Sequence, residues 1–250
     1  MVLHTLFRFA CVWLAMALAV NAHAGIVLNT TRIIYPASDK EVSFGVHNSG
    51  GGEILLQSWL ESASGEAADL PFAVTPGLAR MQGDAKQLLR ILYAGSEMPH
   101  DRESVFWLNV QEIPQAAGEN ALQIAIRQRI KVFFRPQGLK EEPAEAPEAL
   151  QWRLLQSDVV QVSNPGPYHV SMVGIEVKEG VAQMMKMDSQ MLAPKQTMSL
   201  TLNKPSTGRP LDLTFTSIND FGGQVPYRAS LTLHDISNAV RVAKTQGTRQ

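Results

Sequence analysis

Short apolar runs, several of them alternating with polar residues, recur along the whole chain and are separated by Gly, Pro, Asn and Asp. Strict alternation puts every second side chain on one face, which is typical of half-buried β-strands. The spacing of these runs in the first half of the chain predicts an immunoglobulin-like β-sandwich. Its predicted strands cover residues 26–35, 41–48, 54–61, 72–75, 87–93, 104–110 and 121–134.

The second half of the chain repeats the same rhythm of apolar runs and turn residues. No stretch in either half combines a helical period with helix caps, so the predicted fold class is all-β, with two immunoglobulin-like sandwiches of unequal size. The predicted strands of the second half cover residues 151–155, 159–163, 169–177, 191–202, 211–218 and 227–234.

The two halves are separated by a segment rich in proline and acid. Residues 136–148 hold three prolines and four glutamates, a composition typical of linkers. We interpret residues 137–148 as a linker, and the alternative is a long surface loop within one domain. The predicted domains are therefore residues 25–136 and 149–243, followed by a flexible tail at 244–250.

The first 24 residues differ in character from the rest of the chain. Arg8 precedes a nearly uninterrupted apolar run at residues 9–20, and residues 22–24 read Ala-His-Ala, a small-x-small cleavage pattern. This is the pattern of a secretory signal peptide. The alternative, a membrane anchor, needs a longer apolar stretch. The sequence therefore predicts an exported protein that is cleaved after Ala24.

Composition narrows the class of protein further. Of the 250 residues, 45% are hydrophobic and 18% charged, which is ordinary for a globular protein with real cores. The predicted signal peptide contains the single Cys, so the mature chain should hold no disulfide and no Cys-ligated metal. The signal peptide also contains one of the 22 basic residues. The mature chain therefore has 21 basic and 23 acidic residues, and this balance argues against a nucleic-acid partner.

Motifs of known catalytic or cofactor chemistry are missing from the sequence. No P-loop, G-x-G-x-x-G, H-E-x-x-H or G-x-S-x-G pattern occurs. The histidines after the signal peptide have no metal-ligand spacing, and we expect each of them in a loop or on a strand surface. We therefore expect no enzyme, no cofactor and no metal site. The histidines in question are His47, His100, His169 and His234.

Four segments, in their order along the chain, carry a family resemblance. They are residues 31–36 (TRIIYP), 101–110 (DRESVFWLNV), 121–136 (ALQIAIRQRIKVFFRP) and 218–222 (INDFG). Together they resemble the periplasmic pilus-assembly chaperones of the chaperone–usher pathway, over essentially the whole mature chain. Shorter matches occur at residues 57–59, 74–76, 163–165 and 193–195.

The resemblance implies two immunoglobulin-like domains in an L shape with a cleft between them. Its clients are pilus or fimbrial subunits that lack their last strand, and the chaperone lends them the last strand of its own first domain. An outer-membrane usher then receives the complex. The resemblance implies a periplasmic location and no small-molecule substrate, and it leaves open whether the free protein caps itself as a dimer. The connection at residues 111–120 resembles the short-loop branch of the family.

Leu122, Ile124 and Ile126 alternate with polar or small residues and therefore share one strand face. By resemblance, these are the donor-strand positions that enter the client's groove. On the residues alone, packing in the chain's own core is the commoner outcome for such a run. An apolar edge that stays unpaired promotes aggregation, so a protein that keeps one uses it.

Arg32 and Lys131 match the two cleft cations that, in the family, anchor the C-terminal carboxylate of the subunit. A planar guanidinium and a compact ammonium both suit a carboxylate. The alternative is two ordinary surface cations. Ile126 and Lys131 are five residues apart, so strict alternation places them on opposite faces of the strand. A bulge, a twist or a cleft that wraps round the strand end must then connect the two functions.

Glu103, Arg135 and Asp220 match a charged trio that links the two domains in the family. The first two belong to the first predicted domain and the third to the second. A partly buried trio of this kind would fix the interdomain angle more than it would add stability. The alternative is three unrelated surface charges.

Two other classes of protein compete with the chaperone interpretation. A structural subunit of a fibre is one, but two domains and a mature chain without Cys count against it. A secreted enzyme or carbohydrate-binding module is the other, and an exposed aromatic platform would favour it. The candidate tryptophans Trp59, Trp107 and Trp152 each lie within a predicted strand.

Overall fold

The computed structural model describes residues 25–65, 70–95, 98–115 and 123–243. Nearly all the regular structure in these ranges is β-strand, which confirms the predicted all-β fold with two sandwiches. None of the helices in these ranges is long and apolar enough to cross a membrane. The predicted signal peptide and the predicted C-terminal tail lie outside the described residues.

Among the described residues, nine strands form the N-terminal sandwich. They are β1 (Ile26–Leu28), β2 (Arg32–Pro36), β3 (Glu41–Asn48), β4 (Ile54–Glu61), β5 (Phe72–Thr75), β6 (Leu78–Met81), β7 (Lys86–Tyr93), β8 (Ser104–Pro114) and β9 (Arg127–Arg135). One sheet has the order β1-β3-β7-β5 and the other β2-β9-β8-β4-β6. Alternate side chains of both sheets fill a single core between them, which includes the buried residues Tyr35, Leu89, Leu108 and Phe134.

Nine further strands in the described part of the chain form the C-terminal sandwich around a second core. They are β10 (Gln151–Gln156), β11 (Val159–Ser163), β12 (Val170–Glu179), β13 (Ala182–Leu192), β14 (Thr197–Thr201), β15 (Leu211–Ile218), β16 (Gln224–Leu231), β17 (Ile236–Asn238) and β18 (Val240–Arg241). The sheet orders are β14-β11-β10-β17 and β13-β12-β15-β16-β18. Trp152, Ile175 and Phe215 lie at the centre of this core.

The segment between the sandwiches is more ordered than a plain linker. It contains a short helix, α1 (Ala146–Ala149), with a proline in its first turn. Leu139 packs against the C-terminal core, and the hydroxyl of Tyr168 donates a hydrogen bond of 2.8 Å to the carbonyl of Glu141. The two cores share no residue, but the domain boundaries drawn from the sequence remain a prediction.

The first predicted strand, residues 26–35, is wrong as a single element. It is split into β1, which pairs antiparallel with β3, and β2, which pairs parallel with β9 in the opposite sheet. The break is built by polar side chains: the Asn29 amide oxygen accepts a hydrogen bond from the Gly45 N–H, and the Thr30 hydroxyl donates to the Arg32 carbonyl. Residues 29–32 are all polar, and the buried positions Ile26 and Ile33 are seven residues apart, so the alternation changes phase at the break. The sequence prediction overlooked this change of phase.

Other differences follow from weak or misleading alternation. The predicted strand 191–202 covers the end of β13 and the whole of β14, with a turn between them. Strand β13 reads AQMMKMDSQML, and its polar residues obscure the period of two. Strand β6 was also missed. The predicted strand 121–134 is shorter in the structure, where β9 begins only at Arg127.

Candidate functional site

The two predicted anchor cations lie side by side on neighbouring strands. Arg32, the first residue of β2, is the register partner of Lys131 on β9. The residues that follow them, Ile33 and Val132, are buried in the N-terminal core. Because side chains alternate along a strand, Arg32 and Lys131 point away from that core. We call this side of the five-stranded sheet the cleft face.

The cleft face is covered at one end by the C-terminal sandwich. Phe133, two residues beyond Lys131, is buried there with its ring centroid 5.6 Å from that of His169. Arg32 reaches across the same boundary, and its Nη1 donates a hydrogen bond of 2.8 Å to the carbonyl oxygen of Ile218. Its guanidinium carbon lies 5.7 Å from the centre of the Phe133 ring. The anchor pair therefore lies where the two sandwiches meet.

The electrostatics of the pair favour an added anion. Burial, followed by repulsion from Arg32, lowers the pKa of Lys131. Burial also lowers the pKa of Arg32, although the charges of Asp220 and Glu103 act in the opposite direction. The Arg32 Nε is buried and has no hydrogen-bond partner among the described residues. A carboxylate beside the pair would offset this desolvation and repulsion and would give the guanidinium an acceptor.

The predicted charged trio forms one connected network. Arg135 donates to Glu103 Oε1 through Nε at 3.1 Å and through Nη2 at 2.8 Å. It donates to Asp220 through Nη1 at 2.7 Å and through Nη2 at 3.1 Å. Burial alone would lower the pKa of Arg135, but Asp220 and Glu103 outweigh it and raise that pKa. The structure thus brings the three residues together across the boundary between the sandwiches.

A fourth member of the network was missed by sequence reasoning. Both the backbone N–H and the ring Nδ1 of His169 lie 2.9 Å from Glu103 Oε2. The side chains of His169 and Glu103 are only 4% and 2% exposed. His169 lies in a loop just before β12, one of the two positions expected for it, but the burial of its side chain was not predicted. No local pattern in the sequence distinguishes it from the other histidines, because its burial depends on the neighbouring sandwich.

The described donor-strand residues are exposed. Ile124 is 66% and Ile126 is 43% exposed, while Leu122 lies outside the described residues. The segment 123–126 has no strand assignment, although the Ile126 carbonyl accepts a hydrogen bond from the Glu112 N–H at 2.9 Å. The alternative that these isoleucines pack in the chain's own core is thereby excluded for this structure.

One edge of β9 is left without a strand partner over part of its length. Strand β8 pairs with β9 from Arg127 onward. On the other side, β2 pairs with β9 only from Lys131 to Arg135. Within the part of the chain that the structure describes, no strand pairs with that edge from Arg127 to Ile130. Its N–H and C=O groups can accept an additional strand.

An interdomain cavity of about 270 Å³ lies beyond Arg32, away from this open edge. Both sandwiches and the segment between them line it, with Phe133, Tyr168 and Tyr227 among its aromatic walls. Phe221, at the rim, is 96% exposed. The described residues hold no group of three or more His, Cys, Asp or Glu side chains that could bind a metal.

Comparison with known proteins places the whole fold in one family. Residues 25–140 match the model of the pili and flagellar-assembly chaperone, PapD N-terminal domain. Residues 145–229 match that of the pili assembly chaperone PapD, C-terminal domain. The chain is 38% identical over 227 residues to the chaperone protein FimB/FhaD of Bordetella pertussis, covering 86% of this chain and 91% of the relative.

Two solved structures are close in both sequence and fold. The probable fimbrial chaperone YadV of Escherichia coli K12 is 36% identical over 236 residues, covering 88% of this chain and 96% of the relative. Its crystal structure superposes with a TM-score of 0.71 at 34% identity, covering 88% and 100% of the two chains. The SafB chaperone, solved with the SafA pilin of Salmonella enterica, gives 0.69 at 28% identity, covering 85% and 99%. The chain belongs to the family of pilus-assembly chaperones of the chaperone–usher pathway.

Proposed function

We propose that this chain is a periplasmic chaperone that binds, folds and caps pilus or fimbrial subunits by donor-strand complementation and hands them to an outer-membrane usher. The observation that carries the proposal is the unpaired edge of β9, which ends at the two cations Arg32 and Lys131. Export to the periplasm rests on the predicted signal peptide, and delivery to an usher rests on membership of the family.

The direction of β9 fits the capture of a C-terminal carboxylate. A client strand on the unpaired edge would lie beside residues 127–130 of β9, in the same position in the sheet that β2 occupies from Arg32 onward. If it runs parallel to β9, as β2 does, its C-terminus arrives beside Lys131. An antiparallel strand would bring an α-amino group to two cations, which is unfavourable. A parallel strand with a free carboxylate is therefore the favoured occupant.

The exposed isoleucines fit the insertion of donor-strand side chains into the client's groove. Ile124 and Ile126 share the parity of Ile130, which fills the chain's own core. Continuing β9 as a regular strand would extend the core-facing apolar row into the client, while Lys131 stays on the opposite face. The separation of the two functions on opposite faces therefore needs no bulge. Full burial of an aliphatic side chain stabilises a complex by roughly 1.5–3 kcal/mol.

Co-expression with a pilus subunit of the same bacterium tests the anchor. Wild-type protein and Lys86→Ala, a change of an exposed lysine on the other sheet, should both carry the subunit through purification. Lys131→Ala should lose it, because removing one partner of a desolvated charge contact costs about 2–5 kcal/mol. Recovery of the subunit with Lys131→Ala at the wild-type level would contradict the assigned anchor.

Ile124→Asp tests the donor segment in the same assay. The change places a charge where the client's dry groove should be, which is costly for the complex. Because Ile124 is exposed, the variant should keep the wild-type circular dichroism and melting temperature while its client aggregates. An unfolded variant would assign Ile124 to the chain's own core. Normal delivery of subunits would exclude insertion at this position.

A further inference from the structure

Three cations form a row along the cleft face of β9. Arg127, Arg129 and Lys131 lie at every second position of the strand and therefore share one face. Arg127 and Arg129 are exposed and Lys131 is half-buried. We call these three residues the cation row. It begins at the anchor and continues along the edge that has no strand partner.

Two tryptophans of the same sheet support the cation row, Trp107 on the adjacent strand β8 and Trp59 on β4, one strand further away. The guanidinium carbon of Arg129 lies 4.2 Å from the ring centre of Trp107, and the Lys131 ammonium lies 5.6 Å from the same ring. Arg127 lies 5.9 Å from the ring of Trp59. Stacking on an aromatic face holds a cation in place without neutralising it. The row is thus positioned before any partner arrives.

Acidic side chains neutralise only part of the row. Glu61 lies 3.0 Å from Arg129 and also accepts a hydrogen bond from the Trp59 indole at 3.0 Å. Among the described residues, neither Arg127 nor Lys131 has an acidic group within ion-pair distance. The row therefore keeps a surplus of positive charge on an open face.

We propose that the cation row reads the last strand of the client and selects carboxylate side chains at alternate positions of that strand. This inference rests on the proposed function. A strand on the unpaired edge of β9 lies about 4.8 Å away, and every second side chain of it stands beside the row. Its other side chains lie on the core-facing side, with Ile124 and Ile126. Carboxylates beside the row would face fixed cations, whereas Lys or Arg there would be repelled.

Synthetic peptides of six residues with a free C-terminal carboxylate test this selection. Valine occupies alternate positions, and the positions between carry Glu, Gln or Lys in three otherwise identical peptides. Each peptide is made in two versions that differ by a shift of one residue in the alternation. Both are needed because the position of the anchored carboxylate decides which side chains face the cation row. In one of the two versions, at low salt, wild-type protein should bind the Glu peptide at least about tenfold more tightly than the Lys peptide. Added salt should reduce the difference.

Charge reversal of the row supplies the matched comparison. Arg127→Glu combined with Arg129→Glu should invert the order of the Glu and Lys peptides. Arg90→Glu, an exposed arginine on the other sheet, should leave it unchanged. Equal binding of the Glu and Lys peptides by wild-type protein in both versions would overturn the inference. The assigned carboxylate anchor would still stand in that case if amidated peptides bind more weakly than peptides with a free carboxylate. Amidated peptides that bind as well as free acids would overturn the proposed function and this inference together.

Discussion

The two ends of the segment 124–135, which contains β9, differ in their surroundings. From Lys131 to Arg135 the strand lies between β2 and β8, and one of its faces is covered by the C-terminal sandwich. Before Lys131, β8 is the one strand among the described residues that pairs with it. Phe134 is 2% exposed, whereas Ile124 is 66% exposed. One row of side chains, apolar except at Gln128, therefore fills a core at one end and is left open at the other.

This contrast shows what an apolar alternation does and does not determine. It determines which side chains share a face, and Ile124, Ile126 and Ile130 do share one by parity. It does not determine what covers that face. The covered end supports the fold and the open end is available to a partner, so the same kind of substitution should have opposite consequences at the two ends.

The largest expected effect is the difference in unfolding free energy between substitutions at the covered end and at the open end. Phe134→Ala should lower the free energy of unfolding of the N-terminal sandwich by about 3–5 kcal/mol, since it empties a packed aromatic site. Ile124→Ala should change it by no more than about 0.5 kcal/mol, because the side chain is already exposed. Urea unfolding followed by tryptophan fluorescence measures both. Similar losses for the two variants would contradict the comparison.

The next effect concerns the network at the covered end. Glu103→Ala should destabilise the protein by about 3–5 kcal/mol, because it leaves Arg135 and His169 without their shared carboxylate in a buried place. Asp101→Ala, an exposed carboxylate two residues earlier, is the control. Calorimetric melts should show the loss for Glu103→Ala only. A melt of Glu103→Ala that matches the control would show that the network adds no stability.

A smaller effect of opposite sign is expected at the junction of the two ends. Burial and the nearby Arg32 lower the pKa of Lys131, so its charged form costs stability when no client is bound. Lys131→Met should therefore raise the melting temperature at pH 7, because the apolar side chain carries no desolvated charge. The same change should abolish client binding.

The pH dependence of this gain follows from linkage. The cost of a lysine with a lowered pKa is fully present below its folded-state pKa, and it disappears as the pH rises through that value toward the unfolded-state pKa. The advantage of Lys131→Met should accordingly shrink on the alkaline side. Thermal melts at neutral and alkaline pH check this sign. A difference in melting temperature between Lys131→Met and the wild type that widens as the pH rises would contradict this sign.

The sequence predicted local features well and tertiary ones poorly. The bounds of β3 and β15 agree with the predicted strands, because their alternation is regular and turns flank them. The sheet change between β1 and β2 was not predicted, since it depends on which distant strands each piece meets. The burial of His169 was missed for the same reason. Arg32 and Lys131 could be named from the resemblance, but their registry could not.

Hydrogen–deuterium exchange on the wild-type protein measures whether the open edge of β9 receives a strand of the client. We expect residues 131–135 to be protected in the protein alone, whereas the amides of residues 124–130 that face the open edge exchange rapidly. Adding a pilus subunit, or a peptide with a free C-terminal carboxylate, should slow exchange at residues 124–130. Binding that leaves exchange at 124–130 unchanged would show that the client does not add its strand to β9.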